Sequence, residues 1–339
     1  MSTISRRSFL RSTAAVVALP TFSMLPSVAR AAEFVFKCGH DQQPTHPIQL
    51  RMQEAAARIK EETGGRFDLQ IFGNSQLGGD TDMLSQVRSG GLEMTLMPDI
   101  VLSTLAPIAA INGVGFAFST DEEACKAMDG ELGAHVRANV NKAGLLAMDK
   151  MWENGFRQIT SSVKPIKSPE DLRGFKIRVP MGPLWLSMFK AFNAGPTALN
   201  PAELYSALQT KVVEGQENPL SSIYAMKLYE VQKYCSITNH LWNGYWMLMN
   251  PRAWNALPKD IQEIVSKNLN RSALELRSDV ANLNISLVKT LTEKGLLFNR
   301  TDPKPFRDAL KKAGFYAEWS KKFGAESWTI LTRNASGLV

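Results

Sequence analysis

Residues 174–220 read GFKIRVPMGPLWLSMFKAFNAGPTALNPAELYSALQTKVVEGQENPL. Phe175–Val179 has the makeup of a buried strand, and Pro183–Asn193 carries a helical pattern. A short strand at Thr197–Leu199, a helix at Pro201–Gln209 and a strand at Val212–Gln216 complete a β-α-β-α-β run. Such alternation with short connections predicts a parallel sheet flanked by helices. Arg178 closely follows Ile177 in the first strand, and Asn218 stands just past the third. Both fall at the carboxyl ends of strands in one sheet, where open α/β sheets bind ligands. A guanidinium presents a planar fork of donors that matches a carboxylate. No nucleophile, acid–base pair or metal cluster accompanies it, so the stretch reads as a receptor for a small organic anion. The alternative for Arg178 is an ion pair with a structural carboxylate at the sheet edge.

The same architecture occurs earlier. Phe34–Cys38, Phe67–Phe72 and Leu92–Met97 read as strands. Pro47–Glu62 has Ile48, Met52, Ala55, Ala56 and Ile59 at helical spacing and stops at Gly64-Gly65, and a second helix starts at Asp80 or Thr81 and runs through Arg88. Two β-α-β-α-β units predict two similar lobes with the ligand cleft at their junction. From Pro258 to Lys294 apolar residues recur in steps of mostly three or four, and Gly295 ends the run. At 1.5 Å per residue this helix is about 55 Å long, more than one small lobe is wide. It is expected to lie across both lobes. A coiled-coil seam is the alternative, but its edges lack the heptad charge pattern. The aromatic-rich tail, Lys304–Val339, reads as packed helices.

The amino terminus carries Ser5-Arg6-Arg7-Ser8-Phe9-Leu10-Arg11, an apolar run from Ala14 to Leu25, and Ala29-Arg30-Ala31. Charged, apolar and small-residue regions in that order make a signal peptide, and the paired arginines make it a twin-arginine one. Residues 1–31 are therefore expected to be removed during export to the periplasm. Without the leader's four arginines, 35 basic and 32 acidic side chains remain, a net charge of about +3. The basic character is mostly leader, and nucleic acid or membrane insertion of the mature chain is not expected. Cys38, Cys125 and Cys235 are widely spaced. They read as free buried thiols, or as one disulfide and a leftover thiol.

His40, His46, His135 and His240 have no metal-ligand spacing. There is no G-x-S-x-G, no P-loop, and no G-x-G-x-x-G opening a helix; Gly113-Val114-Gly115 lacks the third glycine. No cofactor is expected. Arg157, in Trp152-Glu153-Asn154-Gly155-Phe156-Arg157, follows a turn-like Asn-Gly and suits a cleft wall, or else solvent. His40 and Asp41 follow the first strand, and Pro98 and Asp99 the third, so they are expected to face the cleft from the first lobe. His40 reads as a ligand donor or as a satisfied loop histidine. Trp152 and Trp185 adjoin strand ends and are carried as pocket candidates, whereas Trp242 and Trp246 read as core.

GFKIRVP, the helix Glu203-Leu204-Tyr205-Ser206-Ala207-Leu208-Gln209-Thr210, GQENPL, YEVQKYCSITNH, NGFRQIT and NSQLGGDTDML resemble the DctP family of extracytoplasmic solute-binding proteins, which serve TRAP (tripartite, ATP-independent, periplasmic) transporters. The resemblance covers essentially the whole mature chain. It implies an α/β, two-lobed periplasmic-binding-protein fold, type II-like, with a long helix spanning both lobes. It also implies delivery of a small organic acid to a membrane permease driven by an ion gradient. Carried over by motif, the salt bridge to the ligand carboxylate falls on Arg178, with Arg157, Asn218 and, more loosely, His40 around it. The expected division is a leader at 1–31, lobe I at 32–154 plus 243–283, and lobe II at 155–242 plus 284–339. Pro201, Met181 and Trp185 depart from the family's pattern, and an apolar or aromatic carboxylate is the working expectation for the ligand. A periplasmic sensor module of the same fold and an exported α/β enzyme acting on organic acids are the competing readings. The enzyme would need an acid–base pair in the cleft, and none is evident by spacing.

Overall fold

The computed structural model describes residues 31–338; all of the expected leader (1–31) except its last residue lies outside the described residues. The strands are β1 (Phe34–Gly39), β2 (Phe67–Phe72), β3 (Met94–Pro98), β4 (Leu146–Ala147), β5 (Trp152–Phe156) and β6 (Gln158–Ser161). They continue with β7 (Lys176–Val179), β8 (Gly195–Ala198), β9 (Gly215–Asn218), β10 (Tyr234–Ile237), β11 (Trp242–Met249) and β12 (Leu297–Arg300). One sheet has the order β2-β1-β3-β11-β4, with β5 also on β11; the other runs β12-β10-β6-β9-β7-β8. β1 is parallel to β2 and β3, and β7 is parallel to β8 and β9. Both β-α-β-α-β runs therefore adopt the same second-first-third order. An antiparallel strand then flanks each third strand, β11 beside β3 and β6 beside β9.

The chain passes between the sheets at a single residue, Arg157, which separates β5 from β6. It returns between β10 and β11, through residues 238–241. The third connection is the helix Lys259–Glu293, 35 residues and about 52 Å long. Its first two-thirds buries Ile261, Val265, Leu269, Leu276 and Val280 against the core of the first sheet. Leu287 and Leu291 join Leu204, Ile223, Cys235 and Leu296 in the core of the second. Gly295, at φ 101°, ends the helix as expected. The molecule is two-lobed, and this helix touches both lobes.

The structure departs from the sequence reading in three places. Asn154-Gly155 is not a turn. It lies in β5, where Gly155 at φ 96° sits opposite a register shift at Asn243/Gly244, the conformation a bulge demands and glycine supplies cheaply. The third strand of the second run starts at Gly215, not Val212, because Lys211 takes a left-handed turn and leaves Val212 exposed. Asn218 is consequently inside the strand. The tail does not stay with the second sheet either. Pro303–Lys312 packs on Pro183–Ala191, but Ala325–Asn334 packs on Glu131–Lys142, a helix that leads into β4 of the first sheet. The three cysteines are free and buried.

Candidate functional site

The carboxyl ends of β1, β3, β7 and β9 converge on one cavity between the sheets. Arg178, Arg157, Asn218 and Trp185 line it, facing Asp41, Asp80, Asn243 and Tyr245 from the first-sheet side. Its volume is about 20 Å³, room for one water molecule. The cleft is shut by direct contacts: His46 Nε2 lies 3.2 Å from the Ser221 hydroxyl, and Trp185 Nε1 donates to the Gly113 carbonyl at 3.2 Å. Backbones also meet there. A Cβ at Gly182 would stand 2.7 Å from the Ile100 carbonyl oxygen, so this approach requires glycine.

The two arginines have different jobs. Arg157 is 3% exposed and donates through Nε and Nη2 to the Glu217 carboxylate, through Nη2 to the Glu217 carbonyl, and through Nη1 to Asn243 Oδ1 at 3.2 Å. Four of its five N–H groups are thereby used inside the protein. Its guanidinium carbon stands 4.8 Å from the centre of the Trp185 ring. His240 Nε2 approaches the same Glu217 carboxylate at 3.2 Å. Burial favours the neutral form of Glu217, but the Arg157 charge prevails and holds its pKa below the usual carboxylate value. Arg178 is 1% exposed, and its Nε and Nη2 both donate to the Leu199 carbonyl, at 3.0 and 2.6 Å. Among the described residues no carboxylate lies within ion-pair distance of it, and three N–H groups are left over. Burial pulls its guanidinium down to about 10, partly offset by Glu217. A buried cation with spare, forked donors is chemically able to bind an anion. The sheet-edge ion pair is absent.

Asn218 is oriented by a buried chain of hydrogen bonds. Its Nδ2 donates to Gln216 Oε1, Gln216 Nε2 donates to the Thr160 hydroxyl at 2.8 Å, and that hydroxyl donates to Gln232 Oε1 at 2.8 Å. Arg178 and Asn218 lie on neighbouring parallel strands, with Arg178 in register with Gln216. Opposite them, Asp41 accepts from Gln42 Nε2 at 3.1 Å and from the Tyr245 hydroxyl at 3.2 Å. Burial raises the Asp41 carboxyl to about 6 and pushes Asp80 well above its ordinary value, with the Asp41 charge adding to the second shift.

Three expected site residues point elsewhere. His40 does not line the cavity; its Nδ1 accepts from the Gln42 amide at 3.1 Å, fixing its own loop, and burial lowers its pKa to about 4. Asp99 turns inward, accepting from the Ile100 amide at 2.6 Å, the Gly244 amide at 3.3 Å and Asn112 Nδ2. Trp152 packs in the first-sheet core beside Leu276 and Val280 of the long helix. Conversely, Asp80, Asn243 and Tyr245 were not singled out from sequence. The presence of Asn243 and Tyr245 at the site depends on β11 lying beside β3, with Tyr245 opposite Pro98, a pairing between segments about 150 residues apart.

A larger hollow of about 630 Å³ lies beside the long helix, lined by Asp121, Cys125, Glu153 and Arg277. Its arginine is already paired with Asp129 at 2.8 and 3.0 Å, so its charge is compensated inside the protein. No group of three or more His, Cys, Asp or Glu among the described residues is placed to hold a metal ion. No described helix is long and apolar enough to cross a membrane.

The buried acids set a pH dependence. Burial pushes Asp99 up to about 7, and burial with repulsion from Asp121 pushes Glu153 up to about 8. Folded chains keep protons there that unfolded chains have lost, so this contribution is full below about pH 4 and falls away as pH rises to 8. Buried His40 and His46, lowered to about 4 and about 3, act oppositely but only below their ordinary 6.5. Stability is therefore expected to fall between pH 6.5 and 8, at about 1.4 kcal/mol per pH unit for each proton released. Urea unfolding at the two pH values checks it: the wild type loses stability, and Glu153→Gln has a shallower slope. An equal slope in both removes Glu153 from the account.

The family model DctP, bacterial extracellular solute-binding protein, family 7, matches residues 38–321. An uncharacterized protein of Sinorhizobium fredii is 35% identical over 77% of this chain, which spans about half (48%) of that longer relative. The 2,3-diketo-L-gulonate-binding periplasmic protein YiaO of Escherichia coli is 29% identical over 87% of this chain and 89% of its own length. A TRAP periplasmic solute-binding protein from Sulfurospirillum deleyianum, crystallised with bound succinate, superposes with a TM-score of 0.83 at 29% identity, covering 89% of this chain and 98% of that one. With its two sheets, shut cleft and spanning helix, the chain belongs to the DctP family of bacterial extracellular solute-binding proteins.

Proposed function

We propose that this protein captures a small organic acid by its carboxylate outside the cytoplasm and hands it to the membrane permease of a TRAP transporter. The observation that carries the reading is Arg178, a buried guanidinium with three unassigned donors at the mouth of two parallel strands. Asn218 supports it as a pre-oriented amide on the adjacent strand. Two of the relatives named above carry an organic acid in the name or in the crystal, which supports the same ligand class here. Export by the twin-arginine leader, with cleavage near Ala31, completes the proposal and places the chain in the periplasm.

The first two lobe boundaries are set at Arg157 and within 238–241 instead of 154/155 and 242/243, because Gly155 and Phe156 pair with β11; 283/284 is kept, and Ala325–Asn334 is moved to the first lobe because of its packing. Ligand docks on Arg178 and Asn218 of the second lobe, and the first lobe closes over it. A shut cavity of about 20 Å³ admits no organic acid, so the lobes must part for entry. Contacts made only when closed provide the differential affinity that closure needs. In a thermal-shift screen against organic acids, a ligand at 100 times its dissociation constant adds about 2.7 kcal/mol. That ligand should be recovered chemically unchanged, and solution scattering should show a smaller radius of gyration with it. Turnover of the ligand argues for an enzyme; identical scattering curves remove the closing mechanism.

A further inference from the structure

The positive charge of the mature chain is gathered in one place. The helices Pro303–Lys312 and Phe315–Phe323 hold six basic side chains and two acidic ones. Taking them from the 35 basic and 32 acidic side chains of the mature chain leaves 29 and 30, which nearly cancel. The helical period puts this charge on one face. Pro303–Lys312 buries Phe306 and Leu310, so Lys304, Arg307, Lys311 and Lys312 fall on the opposite side. Phe315–Phe323 buries Phe315, Trp319 and Phe323 and leaves Lys321 and Lys322 exposed. Internal pairing removes little of it. Lys304 meets Asp308 at 2.6 Å and Lys322 meets Glu318 at 2.5 Å, both at the surface, where such pairs are weak. Arg307, Lys311, Lys312 and Lys321 join no ion pair among the described residues.

We propose that this face docks the mature chain on an anionic bilayer, through the phosphates of its headgroups. Two hollows flank the helix Pro303–Lys312. In one, of about 530 Å³, Lys312 stands with exposed Arg173 and Lys190, and Glu170 is the one acid on the wall. In the other, Lys304, Arg307 and Lys311 surround half-buried Tyr316 and Trp328. Long, exposed cations spread over two helices suit many equivalent phosphates better than a single acidic peptide. Tyrosine and tryptophan beside them suit the headgroup level, where amphipathic rings settle. The apolar stripes of both helices are spent inside the protein, so the face rests on the bilayer and does not insert. Each lysine or arginine near an anionic surface strengthens the contact about fivefold, which makes a cluster of this size effective where the scattered charges elsewhere are not. Docking is independent of what the cleft binds.

The test uses the mature chain, residues 32–339, because the leader's arginines and apolar run would themselves bind lipid. It is sedimented with vesicles of phosphatidylcholine alone and of phosphatidylcholine mixed about 2:1 with phosphatidylglycerol. At low salt the anionic vesicles are expected to bind it at least about tenfold more tightly, and about 0.5 M salt should abolish the difference. Combining Lys311→Glu, Lys312→Glu and Lys321→Glu should bring binding down to the level of neutral vesicles, with the melting temperature as a folding control. Combining Lys37→Glu, Arg88→Glu and Lys142→Glu makes the same charge change at exposed first-lobe positions and should keep most of the binding. Equal loss in the two triple variants means that only total charge matters and overturns the proposal. Equal binding to both kinds of vesicle overturns it too. So does binding that appears only on vesicles carrying a membrane permease, which makes the face a protein contact.

Discussion

Replacing Arg178 by Ala is expected to weaken ligand binding by about thirtyfold or more, because truncating one member of a desolvated, charge-assisted pair costs roughly 2–5 kcal/mol. The geometry argues for the upper part of that range. Arg178 is 1% exposed, its backbone lies inside β7, and two donors already grip the Leu199 carbonyl. That grip fixes the guanidinium plane, so the remaining donors are aimed before ligand arrives and little side-chain entropy is lost on binding. Arg178→Lys should fail nearly as badly, since an ammonium cannot hold the carbonyl and present two parallel donors together. Calorimetric titration of both variants checks this. An Arg178→Ala affinity within threefold of wild type would place the carboxylate clamp elsewhere, with Arg157 the next candidate.

The elements legible in the sequence were those whose signals are local. Pro47–Glu62 and Pro201–Gln209 were read with their observed ends because a proline opens each helix, and Gly64-Gly65 also stops the first. The second-lobe half of the site was legible for the same reason: Arg178 and Asn218 lie at strand ends within one short stretch of chain. The first-lobe half was not. Asp80 sits at a helix start, where an acidic residue needs no ligand to explain it, and only its burial without a partner reveals more. His40 and Asp99 occupied the right strand ends, but a strand end fixes position and not direction. His40 bonds back to the Gln42 amide, and Asp99 is drawn inward by the Gly244 amide of β11. Long-range pairing decided those directions, and periodicity carries no record of it.

Arg157 was read as a cleft wall, and its contacts make it the pin of the interlobe crossing, which leads to the largest stability effect. It is the one residue between β5 and β6. Its guanidinium reaches Glu217 in β9 of the second sheet and Asn243 in β11 of the first. One buried cation thus joins both sheets where the chain changes lobe. Glu217 is fully buried and is its counter-ion, with His240 alongside; burial pulls the His240 pKa down, so the imidazole adds little charge. Glu217→Gln keeps the shape and removes the charge, leaving Arg157 buried without compensation. Breaking a buried pair in this way costs about 3–5 kcal/mol, a large share of the 5–15 kcal/mol that holds a typical domain together. Urea unfolding should show that loss as a lower midpoint. A loss below about 1 kcal/mol would mean that Arg157 reaches solvent at the crossing. The variant should also shift the balance between open and closed forms, since the second-sheet anchor of the pin is then a neutral amide. Its ligand-free scattering is expected to lie further from the ligand-bound curve than that of the wild type. Stability and closure would then fail together, as they should if one side chain serves both.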